Sequence, residues 1–164
     1  DSNETRGAGG HSVYIQFPGS EMSSHMSVFA PQLYKKAHRH GPGAHVMIIS
    51  GVGYSLLWPP GGKVPEDVIR VDWKRGGMIV PPNNWFHQHF NGGAEPARYL
   101  AFRWGSQKHA FVFDPGEADI SVKLGGGQIE YEDEHPWVHD TFVETLRKVG
   151  ADSKMADFIP RLRG

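Results

Sequence analysis

Short apolar runs separated by glycine- and proline-rich turns dominate the chain. The runs are rich in Val, Ile, Tyr, Phe and Trp, and the segment DVIRVDW (67–73) alternates with the two-residue period of a half-buried strand. Turn signals such as SGVG, PPGGK, PPNN and LGGG end the runs. Many short strands joined by turns are typical of an all-β sandwich or barrel. We therefore predict strands at 11–17, 26–34, 44–50, 54–58, 67–73, 78–82, 86–90, 97–104, 109–113 and, less clearly marked, 120–124.

One helical pattern follows the predicted strands. HPWVHDTFVETLRKVG (135–150) places apolar residues on one stripe, carries Lys and Arg in its last turn and stops at Gly150. The stripe consists of Phe142, Val143, Leu146 and Val149. We predict three segments: a flexible arm or linker remnant at 1–10, where the sequence is DSNETRGAGG, a β-barrel at 11–130, and a C-terminal helix and tail at 131–164.

Composition narrows the classes of protein and of chemistry. The chain has 164 residues, 38% of them hydrophobic and 21% charged, with a net charge of −1, which suits one globular domain and gives no reason to expect nucleic acid or a membrane as a partner. It contains no cysteine, which excludes disulfides, thiolate metal ligands and a cysteine nucleophile and fits a cytoplasmic location. A metal site would have to use His, Asp or Glu, and ten histidines are available.

The histidines concentrate in two H-x-H pairs, His38 with His40 and His87 with His89. On a strand, residues i and i+2 face the same way, so each pair presents two imidazoles to one surface. A third imidazole from another strand completes a facial set of ligands and leaves metal positions open. Imidazole suits Fe, Zn, Cu and Ni, and an open facial set is typical of non-haem Fe(II) sites.

Two segments around these pairs resemble the two motifs of the cupin family. HRHGPGAHVMIISG (38–51) matches the first motif in its two His residues and in Gly51. GGMIVPPNNWFHQHFN (76–91) matches the second motif in Gly76, Pro82, His87 and Asn91, with Asn84 where the family has Gly. The resemblance implies a single cupin jelly-roll β-barrel, here followed by the C-terminal helix.

The family's glutamate ligand falls on Ala44, which cannot bind a metal. In this respect the chain resembles the three-His gentisate, salicylate and 1-hydroxy-2-naphthoate dioxygenases. That resemblance implies Fe(II) held by His38, His40 and His87. Those enzymes are larger double-cupin proteins, so we expect this chain, which begins at Asp1 without Met, to be either part of a longer chain or a stand-alone barrel.

Two further histidines leave alternatives open. If the GPGA loop contains a bulge, His45 takes the glutamate position and gives a four-His site; without a bulge it points away from the metal, which is the reading we favour. His89 shares a face with His87, so it either acts as an acid, base or positioning group near the metal or simply lines the barrel with a neighbour as its partner.

A three-His site leaves the charge of a divalent metal uncompensated, which favours small anionic bidentate substrates such as hydroxybenzoates. Arg103 could bind the substrate carboxylate if Tyr99, Ala101 and Arg103 face the lumen; the opposite phase would turn Leu100, Phe102 and Trp104 inward. The further candidates for substrate binding are Trp85, Gln88, Tyr54 and Trp104.

The sequence therefore predicts an Fe(II) dioxygenase that cleaves an aromatic ring or a C–C bond with O2. One alternative is a metal-binding domain of a larger protein without turnover of its own, serving as a sensor or scaffold. Another is a non-redox lyase, isomerase or decarboxylase, which Zn or Ni without O2 uptake would indicate. The expected metal is Fe(II), with Zn, Mn, Ni or Cu as alternatives. We also expect a homo-oligomer, a dimer by family analogy, with the 26–34 strand and the N-terminal arm pairing at sheet edges.

Overall fold

The computed structural model describes residues 4–41, 43–105 and 118–163, and within them the chain forms two antiparallel sheets. The first sheet has the order β1-β2-β9-β4-β7 and the second β10-β3-β8-β5-β6. The strands are β1 (Gly10–Gln16), β2 (Met22–Phe29), β3 (Ala37–His38), β4 (Ala44–Ser50), β5 (Gly53–Trp58), β6 (Ile69–Asp72), β7 (Met78–Ile79), β8 (Phe86–Asn91), β9 (Ala97–Trp104) and β10 (Gln128–Ile129). One α-helix, α1 (Pro136–Arg147), follows. The all-β fold with a C-terminal helix is confirmed, and it is the two-sheet jelly roll of the cupin fold.

Most of the predicted strands are present with small shifts of their ends. The runs at 11–17, 44–50, 54–58, 86–90 and 97–104 correspond to β1, β4, β5, β8 and β9. The run at 109–113 lies outside the described residues. The strand predicted at 120–124 is wrong: Val122–Leu124 forms a turn of 3₁₀-helix, because the Ser121 side chain accepts from Lys123 N–H and Gly125 ends the turn at a φ of +86°.

The strand predicted at 26–34 is shifted towards the N-terminus and is not an edge strand. It runs from Met22 to Phe29, and Gln32 in the following turn has a φ of +63°. β2 pairs with β1 on one side and with β9 on the other, so its backbone groups are already used within the sheet. It therefore offers no open edge to a second copy, and homo-oligomer formation stays a prediction.

The segment before β1, expected to be a flexible arm, packs onto the rest of the chain in its described part. Ala8 is buried, and its N–H donates to the Tyr131 hydroxyl at 2.9 Å. Arg6 Nε lies 2.6 Å from an oxygen of Asp119. A small apolar side chain and an ion pair thus hold the segment in place, and the Gly residues around Ala8 let the backbone turn with positive φ.

Two apolar cores lie on the two faces of the second sheet. The inner core lies between the sheets and includes Phe29, Val46, Ile48, Tyr99 and Ala101. The outer core lies between the second sheet and α1 and includes Tyr34, Tyr54, Phe90, Phe142 and Leu146. Strand β8 therefore contributes side chains alternately to the space between the sheets and to the helix side.

Helix α1 begins at Pro136, after the capping residue His135, and ends at Arg147. Pro136 occupies its first turn and the His135 side chain accepts from Trp137 N–H at the N-terminus. Phe142 and Leu146 are buried, as the predicted stripe requires, and Val143 is half-buried. Val149, predicted as the last member of the stripe, is 64% exposed because the helix ends at Arg147.

Candidate metal centre

Three histidines from two neighbouring strands and one loop converge between the sheets. His38 on β3 lies directly opposite His87 on β8 in the antiparallel register, and His40 follows in the loop after β3. The ring centroids of His38 and His87 are 4.2 Å apart, those of His40 and His87 are 4.9 Å apart, and those of His38 and His40 are 5.5 Å apart. One ligating nitrogen from each ring lies within 4.8 Å of the other two. We call this group the His triad.

The chemistry of the triad fits a transition metal. His38 and His87 are buried, and this burial lowers the pKa of both imidazoles well below their usual value. The positive charge of Arg6 lowers the pKa of His38 further. They are therefore neutral, which is the form that binds metal. The Trp85 carbonyl, 3.1 Å from His87 Nδ1, can only accept, so it fixes the proton on Nδ1 and leaves Nε2 as the ligand atom.

Ala44 and His45 face opposite sides of β4. Ala44 is buried in the inner core, whereas His45 is exposed, and Val46 is buried again. β4 pairs with β9 without interruption at this point, and its irregularity comes later, between Ile48 and Ser50. The inner position thus holds a methyl group, and the His45 side chain is turned away from the triad.

His89 lies on the same face as the triad, one step further along β8. Its ring centroid is 5.7 Å from that of His87 and 5.0 Å from that of Tyr99. Burial lowers the pKa of His89 to about 3, with a further lowering from the charge of Lys35, so the ring is neutral. Its Nδ1 is 2.8 Å from Ser55 Oγ, which also accepts from the indole N–H of Trp73 at 2.9 Å. This arrangement lets Ser55 donate to Nδ1, and the ring then presents Nε2–H to the space between the sheets.

The side chains of β9 alternate so that Arg103 faces the space between the sheets, a question that the sequence left open. Tyr99 and Ala101 are buried in the inner core, and Arg103 continues the same alternation while being half-buried. Its neighbours across the sheet are Ala44 on β4 and Ser23 on β2. Trp104, on the opposite phase at the end of the strand, is 55% exposed, so the structure does not support it as a lining residue.

Two other predicted substrate-binding residues, Gln88 and Tyr54, lie on the helix side of the second sheet. Gln88 alternates with His87 and His89, and its Nε2 donates to Glu134 at 2.7 Å and to the Lys35 carbonyl at 2.8 Å. Tyr54 pairs with Phe90, stacks on its ring at 4.5 Å and carries the Arg70 guanidinium on its other surface. Both predictions are wrong because the two-residue period sends these side chains away from the triad. Trp85 packs against the inner core, as a lining residue would.

The space between the sheets also holds cations that the sequence analysis missed. Lys35 is buried, and its Nζ lies 3.3 Å from both Ser27 Oγ and the Tyr99 hydroxyl. Arg6, largely buried, lies close enough to lower the pKa of His38 through its charge. A strict two-residue alternation from His38 would place the Lys35 side chain on the opposite face. The alternation is interrupted before His38, because Tyr34 and Ala37, three residues apart, both pack in the outer core. The sequence does not reveal this interruption.

Comparison with known proteins shows the fold. No family model and no curated protein sequence matches this chain. Among solved structures, Bacillus subtilis oxalate decarboxylase, studied for its Mn(II) centres, matches with a TM-score of 0.54 at 14% identity over 82% of this chain and 35% of that chain. Peruvianin-I, a cysteine peptidase from Thevetia peruviana latex, matches with a TM-score of 0.51 at 14% identity over 59% of this chain and 62% of that one.

These similarities concern the fold alone. The chain spans about a third of the oxalate decarboxylase chain that it matches, and it lacks the cysteine that a cysteine peptidase requires. Along the described residues, no helix is both long and apolar enough to cross a membrane. The chain thus has a cupin fold and a three-His cluster that could hold a metal ion.

Proposed function

We propose that the His triad binds Fe(II) and that the chain is a dioxygenase cleaving an aromatic ring or a C–C bond of a small anionic bidentate substrate. The observation that carries this proposal is the donor set: three converging imidazoles, with buried Ala44 where the resemblance places a carboxylate ligand. Such a site keeps the full charge of the metal and open coordination positions for an anionic chelator and O2.

The electrostatics of the space between the sheets support an anionic substrate. Lys35 and Arg103 both reach into this space, and neither forms an ion pair with any residue in the described ranges. Arg6 is paired, with Asp119. A chelating carboxylate would therefore meet positive charge from the protein as well as from the metal, in surroundings where low solvent exposure strengthens the attraction.

Each residue near the triad has a definite task in this proposal. His38, His40 and His87 would hold the iron, which supplies the activation of O2 and the redox chemistry. Arg103, next to Ala44 across the sheet, would orient the carboxylate of the substrate. His89 would donate a hydrogen bond through Nε2–H, because its neutral ring is held at Nδ1 by Ser55. The inner core, with Trp85 packed on it, would exclude bulk water.

A metal-dependent decarboxylase is the second candidate. The same cationic surroundings suit any small carboxylate, and oxalate decarboxylase, studied with Mn(II), is among the proteins with this fold. This reading predicts release of CO2 from the substrate, without cleavage of a ring, with a metal other than Fe(II), such as Mn(II).

The discriminating experiment starts from protein prepared without air and loaded in turn with Fe(II), Mn(II) and Zn(II). Metal content is measured first, and O2 uptake is then followed with a panel of hydroxybenzoates and diketones. We expect O2 uptake only with Fe(II), in proportion to substrate consumed. CO2 release with Mn(II) would favour the decarboxylase, and metal binding without turnover in any arm would favour a sensor or scaffold domain.

Ala44→Glu tests the charge argument directly. A glutamate at this inward position should leave metal binding intact and weaken the binding of 2-hydroxybenzoate to the metal-loaded protein, because it neutralises one charge of the metal. His45→Glu is the matched control, since it adds the same side chain one residue later on the exposed face. Equal affinities for 2-hydroxybenzoate in the wild type and Ala44→Glu would contradict the argument.

A further inference from the structure

Hydrogen bonds of its backbone N–H and C=O hold Lys35 against β8, and its side chain lies in the space between the sheets. Its N–H donates to the His89 carbonyl at 3.0 Å, and its own carbonyl accepts from Gln88 Nε2 at 2.8 Å. Both partners belong to β8, which also carries His87. The residue is 3% exposed, so its amine lies away from bulk solvent.

The surroundings of the amine are polar and aromatic but contain no carboxylate among the described residues. Nζ lies 3.3 Å from Ser27 Oγ and from the Tyr99 hydroxyl, and 5.4 Å and 5.3 Å from the ring centroids of Phe29 and Tyr99. Lys36, the next residue, forms an ion pair with Glu130. An ammonium removed from water is costly unless an opposite charge meets it, so the surroundings of Lys35 are those of a site for an anion.

The backbone of Lys35 lies one step along β8 from His87 of the triad. Lys35 is at the level of His89, two residues beyond His87, which corresponds to about 7 Å along a strand. The rings of His87, His89 and Tyr99 follow one another at centroid distances of 5.7 Å and 5.0 Å, and the Tyr99 hydroxyl is 3.3 Å from Lys35. The side chains of His89 and Tyr99 thus lie between His87 of the triad and the Lys35 amine.

We propose that Lys35, together with the hydroxyls of Tyr99 and Ser27, forms a second anion-binding subsite. It would hold a carboxylate or similar group of a ligand whose other end chelates the metal on the His triad. The ligand class is a small dianion such as a dicarboxylate. Only the metal-chelating end rests on the proposed function; the subsite itself does not.

The subsite has limited room, which favours a small group. A Cβ built at Gly10 on β1 would lie 3.3 Å from Lys35 Cε and 3.4 Å from Nζ, so the backbone of β1 passes close beside the amine. The hydroxyl of Ser27 is in turn bonded to Ser12 Oγ at 2.9 Å. These contacts position the amine without neutralising it.

The test compares Lys35→Met with Lys36→Met, a loss of the same charge at the next residue. Dicarboxylates from malonate to adipate and monocarboxylates of equal carbon number are titrated into Co(II)-loaded protein, and binding is read from the visible spectrum of the metal. We expect one or more of the longer dicarboxylates to bind at least tenfold tighter than its monocarboxylate. This preference should vanish in Lys35→Met and persist in Lys36→Met; a preference that survives in Lys35→Met would overturn the proposal.

The same comparison in metal-free protein, by calorimetry, separates the subsite from the proposed function. If the chain binds no metal, the proposed function fails, yet dicarboxylates should still bind several-fold more weakly to Lys35→Met than to the wild type. Equal affinities there would overturn the subsite. If Lys35→Met does not fold, Tyr99→Phe and Ser27→Ala replace it, and each should lower the dicarboxylate preference several-fold; an unchanged preference in both would overturn the proposal.

Discussion

At the residue scale, Gly51 shows how a motif position follows from a backbone requirement. It joins β4 to β5 with a φ of +101°, and a Cβ there would lie 2.7 Å from Cα and Cβ of Ala97. Both the dihedral angle and the close approach of β9 exclude a side chain. The glycine thus lets the chain pass from the first sheet to the second, which carries His87.

Gly51→Ala should therefore destabilise the protein more than Gly61→Ala. Gly61 also has a positive φ, +76°, but nothing lies within 4 Å of the Cβ that would be added. Gly61→Ala should therefore lose only the free energy of placing a non-glycine residue at positive φ. Gly51→Ala should lose about 1–3 kcal/mol of unfolding free energy in addition, because its methyl group clashes with Ala97. Urea denaturation measures both, and equal losses would show that β9 yields to the methyl group.

The metal ligands also make a residue-scale prediction. His87→Ala should abolish stoichiometric binding of Fe(II) or Zn(II), because His87 is the central member of the triad, within 4.9 Å of both other rings. His45→Ala should leave the metal content nearly intact, since that side chain is exposed on the other face of β4. Metal analysis after anaerobic loading measures both. Full metal content in His87→Ala would refute the ligand assignment, and a large loss in His45→Ala would restore the four-His site.

At the element scale, a buried carboxylate connects the start of α1 to the second sheet. Glu134 accepts from the Tyr34 hydroxyl and from Gln88 Nε2, both at 2.7 Å, and lies 3.8 Å from Arg161. Burial nonetheless raises its pKa to about 7, against the lowering by these hydrogen bonds and by Arg161. The carboxyl group therefore binds its proton more tightly in the folded chain than in the unfolded chain.

The sign of this shift predicts how stability changes with pH. The contribution of Glu134 to the free energy of unfolding, on the order of 3 kcal/mol, is fully present below about pH 4.5. It is lost as the pH rises through 7. Glu134→Gln should remove this component, so its stability relative to the wild type should increase with pH across that range. Glu132→Gln, at an exposed neighbour, is the control. Denaturation curves at several pH values measure the difference, and a pH-independent difference would contradict the prediction.

The strands and the helix could be predicted from the sequence where local signals agree. Strand order and side-chain faces that depend on pairing between distant strands could be predicted less well. Apolar and aromatic runs between turn residues marked β4, β5 and β8, and the H-x-H spacing predicted that the triad ligands share one surface. The place of β2 inside a sheet could not be predicted, because sheet order depends on pairing between distant strands. Tyr54 was misplaced for the same reason, since its register opposite Phe90 fixes its face. Gln88 is different: the alternation that groups His87 with His89 already excluded it.

At the scale of the whole molecule, charge is distributed unevenly between surface and interior. The net charge is only −1, yet Lys35 and Arg103 reach into the space between the sheets while acidic residues such as Glu66, Asp72 and Glu144 are exposed. A near-neutral total therefore conceals a positive space between the sheets, which composition cannot reveal. This distribution is the common basis of the anionic substrate and of the Lys35 subsite.

The buried histidines give the last prediction, which concerns acid unfolding. Burial lowers the pKa of His25 and His89 to about 3 and that of His38 and His87 well below 6.5. The unfolded chain binds these protons near pH 6.5, so their contribution to stability is present above that pH and is lost as the pH falls towards the folded-state values.

Zn(II) requires neutral imidazoles and binds the folded chain, so it should shift the acid transition to lower pH in the wild type. In His87→Ala the metal should have no such effect, while the transition itself remains, because His25 and His89 still resist protonation in the folded state. Circular dichroism during acid titration, with and without Zn(II), measures both proteins. An acid transition of the wild type that is unchanged by Zn(II) would mean that metal binding at the triad is not coupled to folding, whatever the metal content at neutral pH.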